Sequence, residues 1–430
     1  MKGLASIAPI CFDGEVKKLL RTIGPAMVVA AVVLGPGSIL TSSKVGAGFG
    51  GLGIPVVIAA AIMMIGMVAL AARIGVSYQG SACDELAERL GRPLAIIVGL
   101  ILFLVVALFQ SSNNLAMVAG LSPLVEMIGG GKSVGAGGQM VMLLVFNAVL
   151  IAVLYLMREL YRSVEKLMKF LIGVMVVAFL FNFLVVYLTP RSFEFVAPTN
   201  KGDLFALLGL IGTTFSVGGA FYQSYLVKEK GWGISDAKRG LTDTVVSISV
   251  LGTVTVVILL TSMRVFYGRP DQLELTSVDQ VARQLEPLFG SWATVIFSLG
   301  IVAAAFSSFL VNAMIGGTVM SDSLGKGSRL SSVWPIHLTS VALLTGMGVA
   351  MLSLSQSGST VTLITFAQAL TVVGNPALGA TLLYLGTRPE LTGARRIPRW
   401  ILVLASVGFL ISCLVAVRTA IAVWDKIQAA

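Results

Sequence analysis

The sequence predicts an all-α integral membrane protein: a 5+5 inverted repeat of helices with discontinuous first and sixth helices, followed by an eleventh helix. Of its 430 residues 56% are hydrophobic and only 12% are charged, against roughly 25% charged in soluble domains. The mean hydropathy is +0.94. Apolar windows of about 17 to 25 residues, the length that spans a hydrocarbon core, recur along the whole chain.

Two of the predicted spans are interrupted. The first is broken at Leu34-Gly35-Pro36-Gly37-Ser38, and the sixth contains glycine and polar residues from Gly212 to Ala220. In lipid every backbone group must be paired, so such breaks persist only inside protein or beside a water-filled cavity. A helix kink or a small-residue packing face would explain one break, but two breaks at matching positions indicate an inverted-repeat transporter. The repeats are predicted at about residues 20–190 and 203–388, with the extra helix at about 398–424.

The net charge is +10, and the basic residues that produce it are distributed unevenly between the two sides of the membrane. Most of the basic residues fall in alternate loops on the side of the N-terminus, which predicts a cytoplasmic N-terminus and, with eleven helices, an outside C-terminus. The expected location is a plasma membrane of the bacterial type. The expected partners are the lipid bilayer and a small-molecule substrate, and no nucleic acid is expected.

Two local predictions concern the connections on the N-terminal side. The connection from Tyr78 to Arg92 is predicted to be a short, solvated amphipathic helix with ion pairs Glu85–Arg89 and Glu88–Arg92 at i, i+4 spacing. Asp243 is predicted to cap the start of the seventh span.

Several motifs along the chain carry a resemblance to a known family: Gly24-Pro25, the Leu34 to Ser38 break, Gly46-Ala47-Gly48, Tyr161-Arg162-Ser163-Val164-Glu165-Lys166, Ala305-Phe306-Ser307-Ser308, and Gln368 with Pro376. They resemble the corresponding motifs of the Nramp family of divalent-metal transporters. The resemblance covers most of the chain. It implies the LeuT-type fold of the APC superfamily, with eleven helices.

The chain departs from the family at the residues that bind metal. Where family members have Asp-Pro-Gly-Asn, this sequence has Gly35-Pro36-Gly37-Ser38, and their Met-Pro-His-Asn aligns with Ser216-Val217-Gly218-Gly219. A second family histidine aligns with Gln223, and the acidic residues of the third helix are replaced by Gln110-Ser111-Ser112-Asn113-Asn114. The comparison implies that transition-metal binding is lost, that no metal site of the family type remains, and that proton coupling through carboxylates is absent.

The remaining polar and small residues predict a neutral cavity. The predicted substrate-binding residues are Gly35, Gly37, Ser38, Thr41, Phe215, Ser216, Gly218, Gly219, Tyr222, Gln223 and Gln368, and a polar pathway is predicted at Gln110, Asn113 and Asn114. Mostly apolar sites with a few polar groups suit small organic molecules, and the helix that starts at Ser38 offers N–H groups to a carboxylate. The expected cargo is a small neutral or zwitterionic solute, an amino acid, moved by alternating access.

Other functions stay open at this point. The main alternative is a carrier of a divalent metal cation, Mg²⁺-like, with a rebuilt hydrated site. A further alternative is a receptor that binds without transport, whereas no nucleophile and base pair supports an enzyme. No cofactor is predicted except a possible sodium ion at Ser307 and Ser308, where the LeuT-type fold places eighth-helix hydroxyls. These hydroxyls would otherwise join helices.

Overall fold

The computed structural model describes residues 23–129, 133–157, 159–190, 195–196, 204–269, 278–355 and 360–429, and its regular elements there are all helical. The α-helices are α1 Pro25–Val33, α2 Pro36–Phe49, α3 Gly53–Ser77, α4 Ala82–Leu90, α5 Arg92–Ile128, α6 Ala136–Leu156, α7 Leu160–Leu188, α8 Leu204–Thr214, α9 Val217–Glu229, α10 Ala237–Phe266, α11 Val278–Ser323, α12 Val333–Ser355, α13 Thr360–Gly386 and α14 Arg399–Ala429. Short 3₁₀ helices occupy Gly50–Leu52, Ile234–Asp236 and Gly393–Arg395.

The described helices confirm an integral membrane protein. Eight segments are long and apolar enough to cross a bilayer. The first and sixth spans consist of shorter halves, α1 with α2 and α8 with α9, as the sequence predicts. The predicted limits of the two repeats stay a prediction.

Helix α1 lies at the centre of the bundle. All nine of its residues are buried, and it packs against α7, α9, α10 and α11. Small side chains such as Ala26, Ala30 and Ala31 allow this, because close approach of backbones drives helix association where water is absent. The first break is thereby held in the interior of the protein.

The predicted amphipathic connector is α4, but its contacts differ from the prediction. Arg89 pairs with Glu85 at 2.6 Å as predicted, whereas Arg92 pairs with Asp84 at 2.9 Å and not with Glu88. Arg92 also donates to the backbone oxygen of Asp322, which draws its guanidinium toward the end of α11. The helix is also not simply solvated, because Glu85 is buried.

Asp243 caps a different helix from the one predicted. Its two carboxylate oxygens accept hydrogen bonds at 2.8 Å from the backbone N–H groups of Gly24 and Ala26. Asp243 therefore caps α1, not α10. The sequence could not show this because the partners lie more than 200 positions apart, at 219 and 217 residues.

Candidate functional site

The first break is a local consequence of Gly35-Pro36. Helix α1 ends at Val33, Gly35 is extended with φ −80° and ψ 177°, and Pro36 starts α2. Proline has no N–H and pushes the residue before it out of the helical region. The last carbonyl groups of α1 are therefore without helical partners. The oxygen of Gly35 accepts from the N–H groups of Ser38 and Ile39 and so begins α2.

The second break lies between α8 and α9. Helix α8 ends at Thr214, and Ser216 is the N-cap of α9, where its hydroxyl accepts a hydrogen bond from the N–H of Gly219 at 3.3 Å. Serine is a favoured N-cap because its oxygen satisfies one of the free N–H groups of the first turn. This local cap explains why the helix restarts at Val217.

The two breaks lie side by side. Helix α1 packs against α9, and α2 packs against α8, so the two broken spans run antiparallel. The hydroxyl oxygens of Thr41 and Thr213 are 3.1 Å apart, and a Cβ on Gly219 would meet Val29 and Val32 at 3.3 and 3.6 Å. The C-terminal ends of α1 and α8 both point into this region, and each presents the negative end of a helix dipole.

Gly35 contacts a residue of α11. A Cβ on Gly35 would lie 2.6 Å from the hydroxyl oxygen of Ser308, so only glycine leaves room for this side chain. Asn312 donates to the same oxygen at 3.0 Å. The sequence analysis missed Asn312, although its position one helical turn after Ser308 is a signal that could have indicated it.

Ser307 also reaches the first break. Its hydroxyl donates to the backbone oxygens of Ala31 at 2.9 Å and Ala304 at 3.0 Å. The structure therefore places an eighth-span hydroxyl beside a carbonyl of the first span, which is the arrangement assumed for a sodium site. Sodium binding itself stays a prediction.

Several predicted substrate residues hold buried polar atoms without a hydrogen-bond partner among the described residues. They are the hydroxyls of Ser38 and Tyr222 and both amide atoms of Gln223. The hydroxyl of Thr214, which the sequence analysis missed, is unpartnered in the same way. The Tyr222 hydroxyl lies near that of Thr318 but outside hydrogen-bond geometry. Such atoms cost roughly 1–3 kcal/mol each when left unsatisfied in an interior, so they indicate a place for water or a ligand.

Gln223 is the clearest case, because both polar atoms of its carboxamide lack a partner among the described residues. It is fully buried, at 0% exposure, and it follows Gly219 by four residues on α9. Residues four apart share one face of a helix, and the face of Gly219 meets α1. The unpartnered carboxamide is therefore placed on the side of α9 that faces the first broken span.

Other predicted substrate residues have structural contacts. The ring of Phe215 lies against α14, where a Cβ on Gly408 would come within 2.7 Å of it. Gly218 faces Leu102 and Leu378, and the carbonyl of Gly37 accepts the Thr41 hydroxyl at 2.8 Å. The side chain of Gln368 falls outside the described residues.

The residues of the predicted polar pathway are buried amides that hydrogen-bond to one another and to neighbouring helices. Gln110 donates to the backbone oxygen of Phe309 and accepts from Asn113, both at 2.6 Å. Asn114 accepts at 2.8 Å from Asn147 of α6, a residue that the sequence analysis missed. The side-chain oxygens of Asn113 and Asn147 have no partner among the described residues. The network joins α5 to α6 and α11 through neutral groups.

Strong metal ligands do not cluster in the described part of the chain. No three of its His, Cys, Asp and Glu residues lie close enough together to hold a metal ion. The donors around the breaks are hydroxyl, carboxamide and backbone oxygens.

Two broken spans that cross antiparallel in a bundle of membrane helices define the LeuT-type fold of membrane transporters. Solved structures agree. A mutant of the Eremococcus coleocola manganese transporter matches with a TM-score of 0.76 at 18% identity, over 96% of this chain and 88% of that one. MhsT in complex with L-phenylalanine matches with a TM-score of 0.56 at 16% identity, over 91% of this chain and 98% of that one. Likeness at this level of identity shows the fold alone.

The chain belongs to the Nramp family, since the family model for natural resistance-associated macrophage protein-like proteins matches residues 26–422. The divalent metal cation transporter MntH of Klebsiella pneumoniae (strain 342) is 24% identical over 310 residues, which are 71% of this chain and 72% of that protein. MntH of Staphylococcus saprophyticus is 24% identical over 323 residues, 71% of this chain and 70% of that protein. The protein is a transporter and not an enzyme.

These relatives overturn the expected amino-acid cargo. The sequence relatives are divalent metal cation transporters, and a solved relative of the same fold is a manganese transporter. The expectation was wrong because it assumed that a cavity lined by neutral groups selects a zwitterion. Oxygen dipoles that bind an ammonium group bind a hydrated cation as well.

Proposed function

We propose that the protein carries a divalent metal cation of the hard, strongly hydrated class, such as Mg²⁺, by alternating access at the two breaks. One observation supports this most directly. In a chain of the Nramp family, buried oxygens of Ser38, Thr214 and Gln223 lie at or near the breaks of α1–α2 and α8–α9 without protein partners among the described residues.

The kind of donor favours a hard cation. Transition metals are selected by imidazole, thioether and thiolate groups, and the described residues at the breaks supply none of these. Mg²⁺ prefers oxygen and gives up its water reluctantly, so it usually keeps several water molecules in a protein site. Neutral oxygens that touch such an ion directly or through its water fit this behaviour.

The backbone supplies part of the missing negative charge. The carbonyl groups at the end of α1, together with the C-terminal end of α8, direct partial negative charge at the break. Other transporters with broken helices use unwound carbonyls and half-helix C-terminal ends to hold cations. This compensates in part for the absence of a carboxylate at Gly35.

Transport by the purified protein in liposomes tests the proposal. Uptake of Mg²⁺ is followed with an enclosed magnesium-sensitive dye, and uptake of Mn²⁺ with a manganese-quenched dye. We expect Mg²⁺ uptake above that of empty liposomes, reduced at least about fivefold in Gln223→Ala, as expected for the loss of one direct or water-mediated ligand contact. Ser38→Ala should show a smaller reduction.

The matched control is Thr253→Ala. Thr253 is exposed on α10, and its hydroxyl bonds only within its own helix, to the oxygen of Ser249 at 2.8 Å. Its removal should leave uptake unchanged. Absence of flux for every divalent cation tried, or an equal loss in the control, would refute the proposal.

We further propose that the end of the bundle that contains α4 faces the cytoplasm, with the N-terminus on that side and the C-terminus outside. Support comes from the concentration of Lys and Arg in the loops of the N-terminal side, because basic loops stay cytoplasmic. An antibody added to intact cells should reach an epitope tag on the C-terminus. It should reach a tag on the N-terminus only after the cells are permeabilised. Accessibility of both from the same face would contradict this orientation.

A further inference from the structure

Asn312 is an accessible polar residue in a buried part of α11. Every other residue of 307–319 is buried, whereas Asn312 keeps accessible surface. One turn before it, Ser308 packs against the first break, and one turn after it a Cβ on Gly316 would meet Val106 of α5 at 3.0 Å. Residues four apart share one face of a helix. Asn312 therefore lies on an inward face, and its accessible surface opens onto space inside the protein between the first break and α5.

The carboxamide of Asn312 uses only one of its two polar atoms. Its nitrogen donates to the hydroxyl oxygen of Ser308 at 3.0 Å, and its oxygen accepts no hydrogen bond from the residues that the structure describes. By contrast Gln110, also an inward amide, both donates to Phe309 and accepts from Asn113. The two polar atoms of a carboxamide point in different directions. With the nitrogen directed at Ser308, the oxygen of Asn312 is left for a ligand or water.

The support beneath Asn312 has a fixed position. The hydroxyl of Ser308 fills the space that a Cβ on Gly35 would need, 2.6 Å away. The adjacent Ser307 donates to the backbone oxygen of Ala31 at 2.9 Å, which joins α11 to the end of α1. Binding groups need neighbours that hold them in place. These contacts hold the Asn312 carboxamide beside the first break.

We propose that the oxygen of Asn312 contacts the transported cation, directly or through its bound water, with Ser308 as the positioning residue. The inference rests on the proposed function, because it concerns the same site. Carboxamide oxygens are ligands that hard cations prefer. Asn312 adds to the site an oxygen from α11, outside the two broken spans. An uncharged oxygen also leaves the cation free to depart, since transport requires binding that is not too strong.

Two variants of Asn312 should change the KM for Mg²⁺ in opposite directions. Asn312→Asp has the same shape, and the hydroxyl of Ser308 can rotate and donate to the carboxylate, so the new charge faces the cation. We expect a KM at least about fivefold lower, because opposite charges attract strongly in an interior. Asn312→Leu keeps the branched shape but has no oxygen, and its KM should be at least about fivefold higher. Mg²⁺ uptake in liposomes measures both.

The opposite signs separate a ligand from a structural residue. If Asn312 only joined turns of α11, both variants would disturb the same hydrogen bond to Ser308, and both would change uptake in the same direction. A second measurement does not require transport. Thermal unfolding of the purified protein in a Mg²⁺ titration should show stabilisation at lower Mg²⁺ concentrations in Asn312→Asp than in the wild type, because a ligand stabilises the state that it binds.

Gln79→Glu is the matched control. It makes the same change, from carboxamide to carboxylate, at an exposed residue after the end of α3. A charge in water is screened over about 10 Å, so the KM for Mg²⁺ should equal that of the wild type.

The outcomes distinguish this inference from the proposed function. Mg²⁺ uptake by the wild type with the same KM in Asn312→Asp and Asn312→Leu would overturn the role of Asn312 alone. A shift in the same direction in both variants, or an equal fall of the KM in Gln79→Glu, would do the same. Neither uptake nor binding of Mg²⁺ by the wild type would overturn both proposals.

Discussion

The hydroxyl oxygen of Ser308 lies 2.6 Å from the position that a Cβ on Gly35 would occupy. Real side chains do not approach that closely, so the two residues depend on each other across the first break. Because Ser308 is also hydrogen-bonded to Asn312, it has a defined position and cannot simply turn away. The absence of a side chain at Gly35 is therefore part of the packing of α11 against the broken helix.

This relationship predicts a rescue. Gly35→Ala should reduce cation uptake and lower the thermal stability by about 1–3 kcal/mol, the usual cost of overpacking. Gly35→Ala combined with Ser308→Gly should recover most of the stability, because the second change removes both the Cβ and the hydroxyl that the new methyl group would meet. A double-mutant cycle on unfolding midpoints measures the coupling. Additive effects would contradict the contact.

Asp243 is predicted to hold the start of α1. Its carboxylate accepts from the N–H groups of Gly24 and Ala26, both at 2.8 Å, and an anion also suits the positive end of the helix. Asp243→Ala should cost roughly 1.5–3 kcal/mol of stability. It should also speed hydrogen exchange at the amides of residues 24–26.

The neighbouring Thr242→Ala is the control for Asp243. Its hydroxyl bonds only to the oxygen of Lys238, at 3.2 Å on an exposed face, so it should behave like the wild type. Unchanged exchange at residues 24–26 in Asp243→Ala would show that the cap contributes little.

The hydrogen bonds of Gln110 in α5 predict that the stability of one variant will depend on pH. Gln110 donates to the backbone oxygen of Phe309, and a glutamate there could do so only when protonated. Because only the protonated form keeps this donor, the stability of Gln110→Glu should be highest in acid and fall as the pH rises. Thermal melts between pH 5 and 8 should show this difference from the wild type.

Gln110→Leu is the matched comparison for that variant, because it removes the donor without adding a titratable group. Its stability relative to the wild type should be the same at each pH. A pH dependence equal to that of Gln110→Glu would exclude the explanation by a buried carboxyl group.

Ionisation of the Tyr78 hydroxyl is predicted to lower the stability of the fold in strong base. Burial raises the pKa of its hydroxyl from 10.0 to about 12, and the hydroxyl donates to the oxygen of Leu385 at 2.9 Å. Between these values the unfolded chain releases the proton before the folded chain does, so stability should fall as the pH rises from 10 to about 12. Below pH 10 this contribution is constant.

Tyr78→Phe tests that assignment. It removes the proton that is released, so its stability relative to the wild type should improve across the same interval of pH, while at neutral pH it should be lower by about 1 kcal/mol for the lost hydrogen bond. A constant difference between the two proteins from pH 8 to 12 would mean that another group titrates.

Local sequence determined the parts of the structure that short-range physics decides. Pro36 has no N–H, so the first helix had to break at Gly35, and Ser216 supplied a cap where the second break ends. The amphipathic spacing of Glu85 and Arg89 determined their ion pair within one helix. Apolar length determined the membrane class. These features need no information about distant residues.

Tertiary structure decided every contact between elements that are far apart in sequence. Arg92 turned to Asp84 and Asp322 in place of Glu88, and Asp243 capped α1 in place of its own helix. Asn147 and Asn312 entered polar networks that only the packing of α5, α6 and α11 creates. The pairing of Ser308 with Gly35 is of the same kind, because its geometry depends on where a helix from the second repeat crosses the first break. Hydrogen bonds act over about 3 Å, and only the folded chain brings these residues within that distance.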